Sequence, residues 1–127
     1  MEYIKFTLEN ARYYLNVAST PRMSILANFL ESDYGSGRSS FKEWTNNEEY
    51  KFIEGNISWL EKENDDVIIT YLFDRSEDIY EHAFRTSKKQ FLELLNKWEK
   101  LYKEGPKEII ITYEDGKIHL EGINDIN

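Results

Sequence analysis

Cysteine is absent from this 127-residue chain, and several other features that would indicate particular functions are absent with it. Without cysteine there is no disulfide framework, no thiol nucleophile and no cysteine-ligated zinc or iron–sulfur site. The sequence contains no glycine-rich phosphate loop and no G-x-S-x-G nucleophile motif. Its longest apolar run, VIITYLF at 67–73, is too short to span a bilayer, and residues 1–10 do not have the pattern of a signal peptide. We therefore expect a cytoplasmic protein that has no membrane segment, no cofactor and no catalytic activity.

Metal-binding patterns are missing as well. The acidic run ENDDVIITYLFD, residues 63–74, lacks the glycine of a calcium-binding loop and becomes apolar after Asp66. The two histidines, His82 and His119, are far apart in the sequence and form no two-histidine helical motif. A chain this rich in acids always offers carboxylate pairs, so such pairs alone do not indicate glycosidase chemistry. We expect no metal site, and a small enzyme with unrecognised carboxylate chemistry is the least favoured alternative.

The most informative feature that is present is a net charge of −8, which is concentrated in the middle of the chain. Residues 41–82 carry twelve acidic and four basic side chains, whereas acids and bases are equal in number on either side of this segment. Such a protein would repel the phosphates of nucleic acids and of anionic membranes. The natural complement is a basic protein partner. The alternative is an ordinary solvated surface that keeps the protein soluble.

Apolar spacing predicts one α+β domain over residues 1–127, mainly antiparallel sheet with one long C-terminal amphipathic helix at about 88–104, followed by a β-hairpin. Ser87 is the expected N-cap, and Gln90 three residues later completes a capping-box pattern. Gly105 fits the left-handed position that ends a helix. The apolar stripe of this helix consists of Phe91, Leu94, Leu95, Trp98, Leu101 and Tyr102.

Two signals together predict the hairpin after the helix: its turn residues and the alternation of apolar and polar side chains along both strands. Asp115 and Gly116 form a strong two-residue turn signal. With these two residues as the loop, one face of the hairpin carries apolar side chains or glycine throughout. The predicted pairs are Glu114 with Lys117, Tyr113 with Ile118, Thr112 with His119, Ile111 with Leu120, Ile110 with Glu121, and Ile109 with Gly122.

A second hairpin is expected around EKENDD, residues 61–66, which precedes VIITYLF directly. Asn64, Asp65 and Asp66 would form its tip, because asparagine and aspartate tolerate the left-handed backbone of tight turns. The remaining segments are assigned by propensity: strands at 3–9, 12–18 and 78–86, a strand or short helix at 24–35, a loop at 33–40, and no assignment for 41–56.

Acidic side chains alternate with tyrosine and tryptophan in the middle of the chain. This composition is typical of a protein-binding hot spot, although core packing is the alternative for each aromatic residue. We expect the acids around EKENDD and those after the second strand to form one anionic face. The candidate partner-binding residues are Trp44, Glu48, Glu49, Asp65, Asp66, Tyr71, Asp74, Glu77, Asp78 and Glu81.

Size, acidity, aromatic content and the final segment SKKQFLELLNKWEKLYKEGPKEIIITYEDGKIHLEG, residues 87–122, together resemble bacterial immunity proteins. Proteins of that class neutralise polymorphic or contact-dependent growth-inhibition toxins, which are often nucleases. The resemblance implies an acidic cytoplasmic protein that binds a basic toxin domain and covers its active site. Three alternatives stay open: an inhibitor that mimics nucleic acid, a general protein-binding adaptor, and the small enzyme considered above.

Overall fold

The computed structural model describes residues 1–125 and shows an α+β fold, as the sequence predicts. Within this range eight strands form two antiparallel four-stranded sheets, with the orders β2-β1-β7-β8 and β3-β4-β5-β6. In chain order the elements are β1 (Glu2–Glu9), β2 (Arg12–Ala18), α1 (Pro21–Asn28), a π-helical segment (Phe29–Tyr34), α2 (Ser39–Asn46), β3 (Phe52–Glu54), β4 (Ser58–Glu63), β5 (Asp66–Tyr71), a 3-10 turn (Ile79–Glu81), β6 (Phe84–Ser87), α3 (Lys88–Glu104), β7 (Glu108–Glu114) and β8 (Lys117–Ile123).

The helices join the two sheets into one core. Helix α3 contacts β8 of the first sheet and also β5 and β6 of the second, and α1 likewise contacts strands of both sheets. Buried side chains from these helices and from one face of each sheet form a continuous hydrophobic cluster. The opposite face of each sheet is therefore directed away from this core. None of the helices in the described part of the chain is long and apolar enough to cross a membrane.

Helix α3 begins and ends at the predicted residues. The Ser87 hydroxyl accepts a hydrogen bond from the Gln90 N–H (3.1 Å), and Gly105 has a left-handed φ of 71°. The Gln90 side chain does not return to Ser87 as a complete capping box requires. Its amide nitrogen donates instead to the Gly116 carbonyl (2.7 Å), and its amide oxygen accepts from the Ile118 N–H (3.1 Å). The start of α3 is thereby tied to the β7–β8 hairpin.

Both predicted hairpins form. All six pairs expected between β7 and β8 are observed, with Asp115 and Gly116 in the loop. In the other hairpin Glu63 pairs with Asp66, so the loop contains two residues, Asn64 and Asp65. Asn64 has a φ of 55°, which is the left-handed conformation that asparagine tolerates. Asp66 is therefore the first residue of β5 and does not lie in the loop.

The helical segments before β3 were the least predictable part of the chain. Residues 24–34 of the segment that was ambiguous by pattern are helical, and α2 occupies part of the unassigned stretch. The loop predicted at 33–40 is shorter than expected, because helical segments end at Tyr34 and begin again at Ser39. The start of α1 has a local cause, since the Thr20 hydroxyl accepts from the Met23 N–H and Pro21 occupies the first turn. The strand expected at 78–86 is shorter than predicted, because a 3-10 turn precedes β6.

A polar cluster around Glu99 of α3 leads to a pH prediction. The Glu99 carboxylate accepts hydrogen bonds from the Tyr34 hydroxyl (2.7 Å) and from the Lys42 amino group. Burial by itself would raise the pKa of Glu99, but the hydrogen bonds from Lys42 and Tyr34 outweigh it and lower the pKa below its ordinary value of 4.5. The stability that this cluster contributes is therefore present above 4.5 and is lost as the pH falls further.

We expect Glu99→Gln to lower the free energy of unfolding at neutral pH, and the difference from the unmodified protein to shrink below pH 4.5. Urea unfolding at a series of pH values measures both effects. Glu104→Gln, at an exposed position on the same helix, is the matched control. Parallel pH profiles for the unmodified protein and Glu99→Gln would contradict the prediction.

Candidate partner-binding face of the second sheet

The pairing of β3–β6 divides the side chains of the second sheet between two faces. Leu60, Ile69 and Phe84 are direct cross-strand neighbours and belong to the core. One residue further along each strand, the side chains lie on the other face of the sheet. We call this surface the outer face. Its residues are Phe52, Glu54, Trp59, Glu61, Glu63, Asp66, Ile68, Thr70 and Arg85.

Aromatic rings are accessible on this surface. The rings of Phe52 and Trp59 are 5.1 Å apart between centroids, Phe52 is 45% exposed, and Trp59 is half-buried. Tyr80 of the 3-10 turn is 60% exposed and lies near Glu61 and Glu63, whose charges act on its hydroxyl. Single exposed aromatic residues are common, but a group of them among acids is typical of an interaction surface.

Two acids of the outer face are paired with one base. Arg85 contacts Asp66 (Nε to Oδ2, 2.8 Å) and Glu63 (Nη2 to Oε1, 3.3 Å). The hydrogen bond with Asp66 is the main cause that raises the pKa of Arg85. Both contacts are exposed, so they contribute little to stability. The two acids outnumber the one base, so these three side chains carry a net negative charge.

Glu61 differs from the other acids of the outer face. It is 8% exposed, and its Oε1 atom is buried without a hydrogen-bond partner anywhere in residues 1–125. Interaction with this carboxylate is the main cause that raises the pKa of Tyr80. A buried charged oxygen without a donor costs free energy, so this atom calls for a structural or functional explanation. Glu61 is therefore a buried acid whose carboxylate lacks a hydrogen-bond donor at one of its two oxygens.

Most of the predicted acids at the hairpin tip and in the following connection are exposed. Asp65 is exposed in the loop, and its carbonyl accepts a hydrogen bond from the Lys88 N–H (2.7 Å). Glu77 and Glu81 are exposed in the connection between β5 and β6. Tyr80 lies in this connection as well, and its hydroxyl is close to Glu61 and Glu63 of the outer face.

Asp74 and Asp78 have partners within the same connection. The Asp74 carboxylate accepts from the Ser76 hydroxyl (2.6 Å) and from the Ser76 N–H (2.9 Å), and these hydrogen bonds lower the pKa of Asp74. Asp78 lies 3.5 Å from the His82 imidazole, an ion pair when that ring is protonated. Both acids therefore make contacts within the connection that carries Tyr80, and their carboxylates are less free to meet a partner than those of Glu77 and Glu81.

Four of the predicted candidates lie away from the outer face. Trp44 is 5% exposed and belongs to the core, and the half-buried Tyr71 accepts a hydrogen bond from the Asn28 side chain (2.8 Å). Core packing, the alternative considered for the aromatic residues, therefore describes both. Glu48 and Glu49 are exposed, but their loop is bound through Asn47 to Lys62 on the inner side of β4.

The sequence-based selection missed Phe52, Trp59, Glu61 and Tyr80. Alternation in SWLEKE, residues 58–63, was the available signal, since it places Trp59, Glu61 and Glu63 on one face. The position of Tyr80 had no such signal, because it depends on how the connection folds back. Across residues 1–125, no three histidine, aspartate or glutamate side chains are grouped closely enough to hold a metal ion.

Comparison of the chain with protein-family models, with curated proteins and with solved structures finds no match.

Proposed function

We propose that this protein is an acidic cytoplasmic immunity protein that binds a basic toxin domain, of the nuclease class, and covers its active site. The observation that carries the binding proposal is the outer face, where accessible aromatic rings lie among acidic side chains. The resemblance of the chain to bacterial immunity proteins supports the choice of partner.

The physical argument has two parts. Acidic side chains attract a basic partner over distance and raise the rate of association. Phe52, Trp59 and Tyr80 supply apolar area at contact, and tryptophan and tyrosine are enriched among residues that dominate binding energies. A nuclease active site carries cations that hold phosphates, so an acidic sheet face is complementary to it in charge.

The alternatives make different predictions about the same surface. A nucleic-acid mimic would compete with DNA or RNA for any basic protein of suitable shape, whereas an immunity protein would inhibit one cognate toxin. An adaptor would bind its partner without blocking catalysis. A small enzyme would turn over a substrate, and substitution of one carboxylate would abolish that turnover.

The test uses the product of the gene adjacent to this protein's gene, which the proposal expects to be a nuclease toxin, and measures its nuclease activity and its rate of association. We expect the unmodified protein to abolish nuclease activity and added salt to slow association, because exposed charges are screened beyond about 8–10 Å. Neutralising Glu54, Asp65, Glu77 and Glu81 together as Gln or Asn should slow association by about tenfold or more. These acids are exposed, so the free energy of unfolding should change little.

The matched control removes the same charge from parts of the chain outside the second sheet. It neutralises four exposed acids of the first sheet, α3 and the C-terminal end, namely Glu9, Glu93, Glu104 and Asp125. Equal association rates for the two quadruple variants would assign the effect to net charge and remove the outer face from the proposal. Binding without loss of nuclease activity would favour the adaptor.

A further inference from the structure

The unpartnered oxygen of Glu61 is the starting observation. Glu61 lies at the centre of the outer face, between Phe52 on β3 and Ile68 on β5, and is 8% exposed. Its Oε1 atom accepts no hydrogen bond from any group in the described residues. The basic residue in the same cross-strand row, Arg85, is already paired with Asp66 and Glu63. Tyr80 contacts the same carboxylate, but none of the ion pairs found in residues 1–125 involves Glu61, so its Oε1 atom lacks a donor that a cation from outside can supply.

The groups around Glu61 determine which kind of cation fits. Phe52 is its direct cross-strand neighbour, and Trp59 lies two residues earlier on the same face of β4. Their two rings are inclined by 31°, and the amino group of Lys51 lies 5.4 Å from the centre of the Phe52 ring, so this ring already attracts a cation. The Tyr80 hydroxyl interacts with the same carboxylate from the 3-10 turn. Aromatic faces beside a carboxylate attract cations by their quadrupoles and by charge together.

We propose that Glu61, with the rings of Phe52, Trp59 and Tyr80, receives the guanidinium group of an arginine side chain from the protein partner. The identity of that partner rests on the proposed function, whereas the chemistry of the site does not. Tyr80 is 60% exposed, so it can turn outward without opening a cavity in the core. The incoming guanidinium would then donate to Glu61 Oε1 while its plane lies against the Phe52–Trp59 pair.

Arginine suits this site better than lysine for two reasons. The guanidinium is planar and stacks on aromatic rings, and it presents five N–H donors in a rigid fork that matches a carboxylate. It is also more weakly hydrated than an ammonium group, which lowers the cost of burying it beside Glu61. The ammonium group of lysine would keep its charge interaction with Glu61 and would lose the stacking.

Three peptides test the proposal on the isolated protein: acetyl-Gly-Arg-Gly-amide, its lysine analogue, and its citrulline analogue, which keeps the shape without the charge. Each is titrated into the millimolar range at constant ionic strength, and the indole N–H resonance of Trp59 is followed by NMR. We expect the arginine peptide to shift this resonance, the lysine peptide to bind more weakly, and the citrulline peptide to leave it unchanged. The indole resonances of Trp44 and Trp98, which are both buried, serve as internal references.

Glu61→Gln should weaken binding of the arginine peptide by about tenfold or more, which corresponds to about 1.4 kcal/mol or more. Glu121→Gln, at an exposed position on β8 of the first sheet, makes the same charge change and should bind as the unmodified protein does. The urea midpoint of Glu61→Gln should equal or exceed that of the unmodified protein, because a buried charge without a donor has been removed.

Several results would overturn the inference: no shift with the arginine peptide, an equal shift with citrulline, equal or tighter binding of lysine, or full binding by Glu61→Gln. The comparison of the three peptides needs no variant, so it stands even if Glu61→Gln does not fold. Failure of the proposed function is a separate result. A protein that binds the arginine peptide through Glu61 but does not inhibit the toxin would keep this site and lose the immunity role.

Discussion

Replacing Trp98 by alanine is expected to lower the free energy of unfolding by about 3–5 kcal/mol. Trp98 is fully buried on α3, and its ring lies edge-on against Phe6 of β1 with 4.7 Å between centroids. Its indole N–H donates to the Gly35 carbonyl (2.8 Å). Alanine would leave a cavity between the helix and the first sheet and would remove the donor of that carbonyl. The loss is a large share of the roughly 5–15 kcal/mol that stabilises a typical domain.

Urea unfolding measures the change in the free energy of unfolding, and two further variants serve as comparisons. Trp98→Phe keeps much of the ring volume and removes the hydrogen bond, so its loss should be smaller than that of alanine. Lys100→Ala, at an exposed position on the same helix, should change the free energy of unfolding by less than about 0.5 kcal/mol. A change of that small size in Trp98→Ala would show that the side chain is accessible and belongs to a binding surface.

Replacing Lys62 by methionine is expected to lower the free energy of unfolding by about 1.5–3 kcal/mol, the range for hydrogen bonds to charged groups. Lys62 is buried on the inner side of β4, and its amino group donates to the carbonyls of Trp44 (2.6 Å) and Asn47 at the end of α2. The same amino group lies 4.6 Å from the centre of the Trp44 ring. Methionine would keep the apolar stem and would leave the Asn47 carbonyl without this donor.

Desolvation works against this interaction. Burial, followed by the nearby charge of Lys88, lowers the pKa of Lys62, so part of the gain from its hydrogen bonds is offset. Lys97→Met makes the same change at an exposed position on α3 and should alter the free energy of unfolding by less than about 0.5 kcal/mol. If Lys62→Met were as stable as the unmodified protein, desolvation would equal the hydrogen bonding and Lys62 would not be a stabilising cap.

Lys62 and its neighbours show how one short segment serves both sides of the second sheet. In EKENDD, Lys62 points inward and donates hydrogen bonds to carbonyls at the end of α2, whereas Glu61 and Glu63 point outward. A two-residue turn follows Glu63. Alternation along a strand is enough to separate these roles. The acidic composition of the segment led to the prediction of a binding role for its acids and gave no indication of the structural role of Lys62.

Local chemistry determined a large part of the fold. The ends of α3 depend on Ser87 and Gly105, and the β7–β8 register depends on a two-residue turn and the alternation beside it. Each of these signals acts between residues close together in the chain, so the sequence was sufficient to predict them. The same holds for the turn at Asn64, whose left-handed backbone is a property of that residue and its neighbours.

Tertiary structure alone decided which strands share a sheet and which side chains remain accessible. Trp44 is buried and Phe52 is exposed, although both are aromatic residues of the same acidic segment. Glu61 is buried and Glu63 is exposed, although they are two residues apart on one face of β4. The difference arises because burial depends on what distant segments place above each side chain, as Tyr80 lies next to Glu61. Local propensity carries no information about those segments. Which side chains form the candidate site therefore depends on the packing of the whole chain.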